Sequence, residues 1–456
     1  MTFSALDSEL LGPLFTTTRM REVFSDRARV AAMLEAEAAL ARAQARFGLA
    51  PPALAAAIEG IAAASLDLDD LGAATALAGV PAIPFVKAVQ ARLPGDLEPF
   101  FHKGSTSQDI VDTGLVLQMR RGLDLLLEDL DGSLEALAAL AEQHRATPCV
   151  GRTYGQHAQP TSFGYKAAVW AAGLAEVAAA LPRLRTTALR ASLGGPVGTL
   201  AGLGERGLEV ADAFAAELDL APAPISWHTR RAGLVELGLW LATLMGALAK
   251  MAADIVHLAS TEVGEVREPH APGRGGSSAM PHKRNPVSAT VILAAHGTTP
   301  GFATTLLSAM AAAGERPAGP WHAEWHALPS LFGLASGALS EAHKLARGLE
   351  VDPARMATNL AATRGLLFAD AAAARLAPDM GRQQAYSLVE AACDRVRQSG
   401  DPLRDVLAAD PACRALDIRA VFDAGPAVQA ACGWVDRAIA EVARVRAELR
   451  PAFRQA

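Results

Sequence analysis

Aromatic residues are scarce in this chain, at 5% of the sequence with only three tyrosines. Alanine and leucine dominate instead, a composition that favours helix over strand because these side chains lose little freedom in a helix. Long apolar runs are also missing, since the most uniformly apolar stretch, 237–249, is too short to cross a bilayer. We therefore expect no contact with a membrane and predict that this stretch is the buried middle of a long helix.

Cysteine is rare as well, and its four occurrences lack the paired spacing of a metal-binding site. The N-terminus has no basic segment followed by an apolar one, so we expect no signal peptide. Without a secretory context, the cysteines are expected to be reduced thiols in a cytoplasmic protein. They are Cys149, Cys393, Cys413 and Cys432.

The chain lacks the excess of positive charge that nucleic-acid-binding proteins carry, because its formal net charge is −6 and its pI is near 6.0. Any basic patch must be local, and we expect no nucleic-acid partner. With 456 residues, 51% of them hydrophobic, the chain is long enough for two or three domains around a large core.

The most informative stretch is a polar one at 275–286, with the sequence Gly-Gly-Ser-Ser-Ala-Met-Pro-His-Lys-Arg-Asn-Pro. The glycines allow positive φ, and each proline lacks an N–H group and disfavours helix in the residue before it, so we predict a loop. Hydroxyl, ammonium and amide groups on one loop are suited to anionic ligands. A solvated linker with a basic end is the alternative.

This stretch resembles the signature loop of the fumarase/aspartase superfamily. The resemblance implies that Ser277 is the catalytic base, as an alkoxide, and that Lys283 and Asn285 hold a substrate carboxylate. The residue chemistry agrees, because removing a proton α to a carboxylate adds negative charge that a fixed cation stabilises. The same cation and the loop N–H groups would help a serine to lose its proton.

A second polar segment, 102–109, places hydroxyl residues and an acid before an apolar helix that we predict to begin near Ile110. Free N–H groups at a helix start form an anion site, although Ser107 or Asp109 could equally do no more than cap the helix. The segment also resembles the superfamily's first signature region and matches all its fixed positions. The resemblance implies that Thr106 and Ser107 bind substrate carboxylate, with His102 nearby.

A third segment, 151–166, resembles the superfamily's second region. Arg152 and Gln156 match that region and are implied to bind substrate. Tyr154 departs from it, because most of these lyases carry a histidine there as general acid for the leaving group. In adenylosuccinate lyases that histidine is paired with a glutamate, which Thr290 replaces here. His157 could be a substitute acid or an ordinary polar contact.

A tryptophan-rich segment follows the loop, in which Arg316 precedes the pentapeptide Trp-His-Ala-Glu-Trp at 321–325. An arginine beside two tryptophans and a histidine suits an aromatic-walled anion site, so we predict that Arg316 binds substrate. Trp325 could equally be an aromatic anchor of the core. Adenylosuccinate lyases place a Ser-His-Ser-Ser element here, whereas the pentapeptide resembles the bacterial 3-carboxy-cis,cis-muconate lactonising enzymes of the superfamily.

The missing proton donor bears on the reaction. An amine or hydroxide leaving group needs such a donor, worth roughly 10² to 10⁴ in rate, whereas a carboxylate, with a pKa of about 4, does not. We therefore predict a cycloisomerase that converts 3-carboxy-cis,cis-muconate into γ-carboxymuconolactone, an intermediate of protocatechuate breakdown, by anti addition of a carboxylate across a C=C bond. The three substrate carboxylates would explain the local cations of an acidic protein, which are Arg152, Lys283, Arg284 and Arg316.

Two other functions stay open. An adenylosuccinate-type lyase that releases fumarate would carry a similar loop, but Tyr154, Thr290 and the absence of a histidine at 81–85 disfavour it. A non-catalytic helical scaffold is disfavoured by the intact signature residues. No metal or organic cofactor is indicated.

The resemblance covers nearly the whole chain and implies an all-α fold of three domains. These are an N-terminal helical domain (1–105), a central long-helix bundle with the signature loop (106–345) and a C-terminal helical domain (346–456). It also implies a homotetramer in which each active site takes its three signature regions from three subunits. From the residues themselves, we predict that the longest helix begins at His228 or Thr229 and reaches about Glu262.

Overall fold

Helices make up nearly all of the regular structure in residues 3–453, the part of the chain that this computed structural model describes. Two small two-stranded antiparallel sheets are the exception within that part. The predicted all-α class is confirmed.

The N-terminal residues form one long helix and several short ones. Ser25 begins the long helix, as its hydroxyl accepts a hydrogen bond from the backbone N–H of Ala28 at 3.1 Å. The helices are α1 (Gly12–Phe15), α2 (Thr18–Val23), α3 (Asp26–Arg46), α4 (Ala53–Glu59), α5 (Leu68–Ala78) and α6 (Ala82–Gln90).

Long helices form the central bundle, and the longest of the described helices is α7, with 37 residues. The prediction that the helix after His228 is the longest was wrong, because that helix, α11, has 28 residues. The central helices are α7 (Ser107–Gln143), α8 (Phe163–Ala178), α9 (Leu181–Ala188), α10 (Gly207–Glu217), α11 (Ala232–Ala259), α12 (Val287–Ala309) and α13 (Pro320–Gly348).

Contacts along α7 and α13 show that these two helices run parallel. The indole N–H of Trp321, at the start of α13, donates to Asp112 near the start of α7 at 2.9 Å. Towards the other end, Gly132 of α7 is a glycine where a Cβ would meet the ring of His343. The starts of α7 and α13 therefore lie at one end of the bundle, and their last turns lie towards the other.

The apolar stretch 237–249 lies inside α11, and most of its large side chains are buried, as predicted. Two stretches, Phe163–Ala188 and Ala232–Ala259, are long and apolar enough to cross a membrane. In each of them, 56% of the most apolar window is buried inside the protein, as in the core helices of a bundle.

The strands lie at the end of the bundle that contains the last turns of α7 and α13. The hairpin of β1 (Pro148–Thr153) and β2 (Gln156–Ser162) connects α7 to α8, and β3 (Val266–Arg267) pairs with β4 (Glu350–Val351) directly after α13.

The C-terminal residues contain a second, smaller hydrophobic core of buried residues between 372 and 421. The last helix leaves that core and packs against α7 and α8, so its buried Val435, Val442 and Val445 belong to the larger core. The three-domain division stays a prediction. The helices are α14 (Pro353–Ala361), α15 (Ala369–Met380), α16 (Arg382–Ser399), α17 (Leu403–Ala408), α18 (Ile418–Val421) and α19 (Gly425–Phe453).

Candidate active site

The first signature region surrounds the start of α7. The backbone N–H of Thr106 donates to the carboxylate of Asp109 at 2.9 Å, so Asp109 caps the helix. Arg316 donates through Nη1 to the hydroxyl of Thr106 at 2.8 Å. Two residues that sequence analysis singled out from segments far apart in the chain are thus in contact. Ser107 is the first residue of the helix, beside them.

His102 lies just before this helix start in a left-handed conformation, with φ of 58°. Its Nδ1 is 2.6 Å from a carboxylate oxygen of Glu37, which is buried on α3. Burial by itself lowers the pKa of His102, but the charge and hydrogen bond of Glu37, with the charge of Asp109, hold that pKa above its ordinary value. Sequence analysis missed Glu37, whose only signal was an acid on an otherwise apolar helix face.

Asp109 also fixes the glycine-rich turn that lies against the helix start. Its two carboxylate oxygens accept the backbone N–H groups of Gly194 at 2.8 Å and Gly195 at 2.9 Å. His228 donates to the same carboxylate through Nε2 at 2.6 Å and is itself buried. The pair of His228 and Asp109 is therefore enclosed by the protein, and its role is to hold backbone in place.

A buried ion-pair network lies one turn further along α7. Arg231 donates to Asp112 at 2.6 Å and to Glu324 at 2.9 Å, and all three side chains are almost fully buried. Burial raises the pKa of Glu324, although Arg231 opposes that shift. The network joins α7, α11 and α13 beneath Thr106 and Arg316. None of its three residues was among the predicted site residues.

The signature loop lies at the opposite end of the bundle and is closed at its base. The backbone N–H of Asn285 donates to the carbonyl of Gly275 at 2.8 Å. Gly275 has φ of 69°, and a Cβ there would meet the Asn285 carbonyl oxygen at 2.7 Å, so only glycine fits. Arg284 pairs with Glu350 at 3.0 Å, which attaches the loop to the strand after α13.

Within the loop, the hydroxyl of Ser277 accepts a hydrogen bond from the backbone N–H of Met280 at 3.1 Å. Such a donor would stabilise an oxyanion on that atom, and the role of Ser277 as the base stays a prediction. Lys283 is exposed on the same loop and has no ion pair with any described residue. The ammonium group is thus free to meet an anion.

The second signature region forms the β1–β2 hairpin. Tyr154 and Gly155 make its two-residue turn, with φ of 51° and 75°, and the tyrosine side chain is completely exposed. Gln156 is also exposed. Arg152 instead makes two hydrogen bonds with buried Glu265, at 2.6 and 3.0 Å. Its charge is neutralised within the chain, so it is not a free cation for substrate.

His157 lies opposite Arg152 in the hairpin register. Its Nδ1 is buried without a hydrogen-bond partner among the described residues. Burial, and then the charge of Arg152, lower the pKa of His157. The shift disfavours the protonated imidazole that a substitute acid would need.

The two candidate regions lie too far apart to act on one substrate within one chain. Arg316 precedes the first turn of α13, whereas Arg274, just before the signature loop, bonds to Glu341 near the last turns of that helix. The helix between Trp321 and Glu341 spans about 30 Å, at about 1.5 Å per residue. Ser277 is only two residues from the closed base of the loop and cannot cover that distance.

Comparisons with known proteins find family models and curated relatives that match this chain. A family model described as "Lyase" matches residues 15–301, and one described as "Adenylosuccinate lyase C-terminus" matches residues 365–438. The chain is 45% identical to a 3-carboxy-cis,cis-muconate cycloisomerase from Pseudomonas aeruginosa, over 98% of this chain and 99% of the relative. It is 44% identical to a nitrosuccinate lyase from Streptomyces davaonensis, over 96% and 95%.

A solved structure gives the same result for the fold. The crystal structure of a 3-carboxy-cis,cis-muconate lactonizing enzyme from Pseudomonas putida is similar, with a TM-score of 0.92 and 43% sequence identity. The match covers 96% of this chain and 100% of that chain.

Proposed function

The chain belongs to the lyase family of the fumarase/aspartase superfamily, and we propose that it is a 3-carboxy-cis,cis-muconate cycloisomerase. The observation that carries the proposal is at position 154. An exposed tyrosine stands at the hairpin turn where most lyases of the superfamily have a general acid, while the serine loop is intact.

The reaction makes this combination chemically reasonable. A terminal carboxylate of the substrate attacks C3 and forms the C–O bond of the lactone, while a proton is added at C2. The attacking carboxylate is already ionised and needs no base, and in the reverse direction it leaves without a proton donor. The only proton transfer is therefore from the Ser277 hydroxyl to C2, which leaves the alkoxide that acts as the base in the reverse reaction. Lys283 and Asn285 would hold the carboxylate on which negative charge accumulates.

The active enzyme is an oligomer in this proposal, as its superfamily typically is. We assign a homotetramer in which the first region and the signature loop come from different subunits. The separation of about 30 Å between these regions supports sharing, because one chain cannot bring them together. The substrate is a small tricarboxylate, and the cytoplasm is the expected location.

The test is to give the purified protein 3-carboxy-cis,cis-muconate and to follow the loss of diene absorbance. We expect turnover by the wild type, and a loss of at least 10²-fold in kcat for Ser277→Ala with unchanged assembly. Turnover of adenylosuccinate instead would overturn the proposal, as would unchanged turnover by the serine variant. A protein inactive on every substrate would favour the scaffold alternative.

A second candidate is elimination of nitrite from nitrosuccinate, which the 44% identity to a nitrosuccinate lyase favours. Nitrite, like a carboxylate, is a weak base, so it also leaves without a proton donor. The serine loop and the exposed Tyr154 fit both reactions. Measuring kcat/KM on the two substrates separately decides between them, and we expect the higher value for the muconate.

A further inference from the structure

The contact between Glu37 and His102 is the feature that neither the reaction nor the family match explains. Glu37 is 1% exposed on a helix face of alanine, leucine and methionine, and its hydrogen-bond partner is the imidazole of His102, at 2.6 Å. A carboxylate so buried is costly unless it is paired with a cation or a strong donor. The contact therefore favours the charged imidazolium form of His102.

The geometry also decides which ring nitrogen is available. An ionised carboxylate can only accept, so Nδ1 of His102 carries the proton that is donated to Glu37. The Ser105 hydroxyl lies 3.1 Å from the same nitrogen. Nε2 makes no hydrogen bond with a described residue and is not among the buried polar atoms that lack a partner, and the side chain as a whole is 19% exposed. Nε2 thus reaches solvent.

The place of His102 gives that nitrogen a role. The residue has a left-handed φ of 58°, a strained conformation for a non-glycine residue that persists only when its surroundings hold it. It lies four residues before Thr106, whose hydroxyl is bonded to Arg316. An imidazolium, a hydroxyl and a guanidinium are thereby gathered at one helix start, which itself favours anions.

We infer that Glu37 is a positioning residue for the reaction, which holds His102 as an imidazolium whose Nε2–H donates to a substrate carboxylate beside Thr106 and Arg316. The inference rests on the proposed function and deepens it. His102 would then be a binding group and not the proton donor that the superfamily keeps at position 154. Glu37 would touch no substrate and would act only through the histidine.

The pH dependence follows from the groups that face His102. These are Glu37 from α3, Asp109 from α7 and Ser105 from its own loop, and the two carboxylates outweigh burial in raising the pKa of His102. The cation is present below that raised pKa and is lost as pH rises through it. In Glu37→Gln one carboxylate charge is gone, so the cation should be lost at a lower pH.

The experiment compares KM and kcat of the wild type, Glu37→Gln and His102→Gln between pH 6 and pH 9. At pH 7.5 we expect Glu37→Gln to raise KM about tenfold, the effect of one lost charge-assisted hydrogen bond, and to change kcat less than about threefold. The rise in KM should shrink towards pH 6. The double variant should have a KM no higher than that of His102→Gln, because both changes remove the same interaction.

Glu35→Gln is the matched control. Glu35 is on the same helix, but it pairs with Arg121 at 2.5 Å and not with His102. The KM of Glu35→Gln should therefore stay within about twofold of the wild-type value. A KM for Glu37→Gln equal to that of this control at every pH would overturn the inference. A fall of about 10² in the kcat of Glu37→Gln at unchanged KM would also overturn the inference, since His102 would then be the general acid.

A binding measurement keeps the inference separate from the proposed function. If the wild type does not turn over the muconate, the proposed function fails. Calorimetric titration with tricarballylate, a saturated tricarboxylate, then tests Glu37 without any reaction. Weaker binding to Glu37→Gln than to Glu35→Gln, with a difference that shrinks towards pH 6, would support the inference. Equal binding would refute it.

Discussion

The distance between the first region and the signature loop predicts that two impaired variants restore activity when their chains are mixed. Ser277→Ala damages the loop, and Arg316→Met damages the anion site at the start of α7. If each active site takes these regions from different subunits, some sites in a mixed oligomer contain neither change. Co-expression of the two chains with different tags would produce such oligomers.

The expected recovery of activity equals the fraction of active sites that contain neither change. In an equal random mixture, each contributing chain is undamaged at its own region half of the time, so about one quarter of the sites are intact. Arg316→Met should leave about one tenth or less of the wild-type kcat/KM, because it removes a charge-assisted interaction worth about 1.5–3 kcal/mol. Recovery to about a quarter of the wild-type rate of diene loss would stand clearly above that background.

The matched control places both changes in one region. Ser277→Ala mixed with Lys283→Met should recover nothing, because no chain can supply an intact loop. Recovery in this control would refute the reasoning. A lack of recovery in the mixture of Ser277→Ala and Arg316→Met would also refute it, provided that mixed oligomers have been isolated with both tags. Every site would then be built from one chain.

Two further predictions concern single positions. Arg231→Met leaves Asp112 and Glu324 buried without a cation, so urea unfolding followed by circular dichroism should show a loss of about 3–5 kcal/mol. Arg444→Met, at an exposed arginine, should change little in the same assay, and equal losses would contradict the argument. Tyr154→Phe should keep kcat within about twofold, whereas a loss of 10² or more in the diene assay would make the tyrosine hydroxyl the general acid.

Sequence analysis predicted the helices well where local signals agree with the packing. The apolar stretch 237–249 was predicted to be the buried middle of a long helix, and it lies inside α11 with most of its large side chains buried. Sequence analysis was less successful where tertiary contacts decide the structure. The β1–β2 hairpin was not predicted, because its strands carry glycine, arginine, glutamine and proline, and pairing alone makes them strands.

The same difference between local signals and tertiary contacts applies to the candidate site. The loop and the helix start could be predicted because their residues lie close together in the sequence. The acids that hold them could not, since Glu37 meets His102 across 65 positions and Glu265 meets Arg152 across 113. No local pattern distinguishes such an acid from a solvated one before the helices are packed.

These acids also refine the charge argument made from the sequence. Arg152 and Arg284 each pair with a glutamate of their own chain, so neither is a free cation for substrate. Lys283 and Arg316 have no carboxylate partner among the described residues, and His102 presents a free Nε2. Lys283 and Arg316 are therefore the cations that remain for substrate anions, with Nε2 of His102 as a further donor. Both candidate substrates carry at least two carboxylates that suit these donors, so the comparison of kcat/KM on the two substrates decides between them.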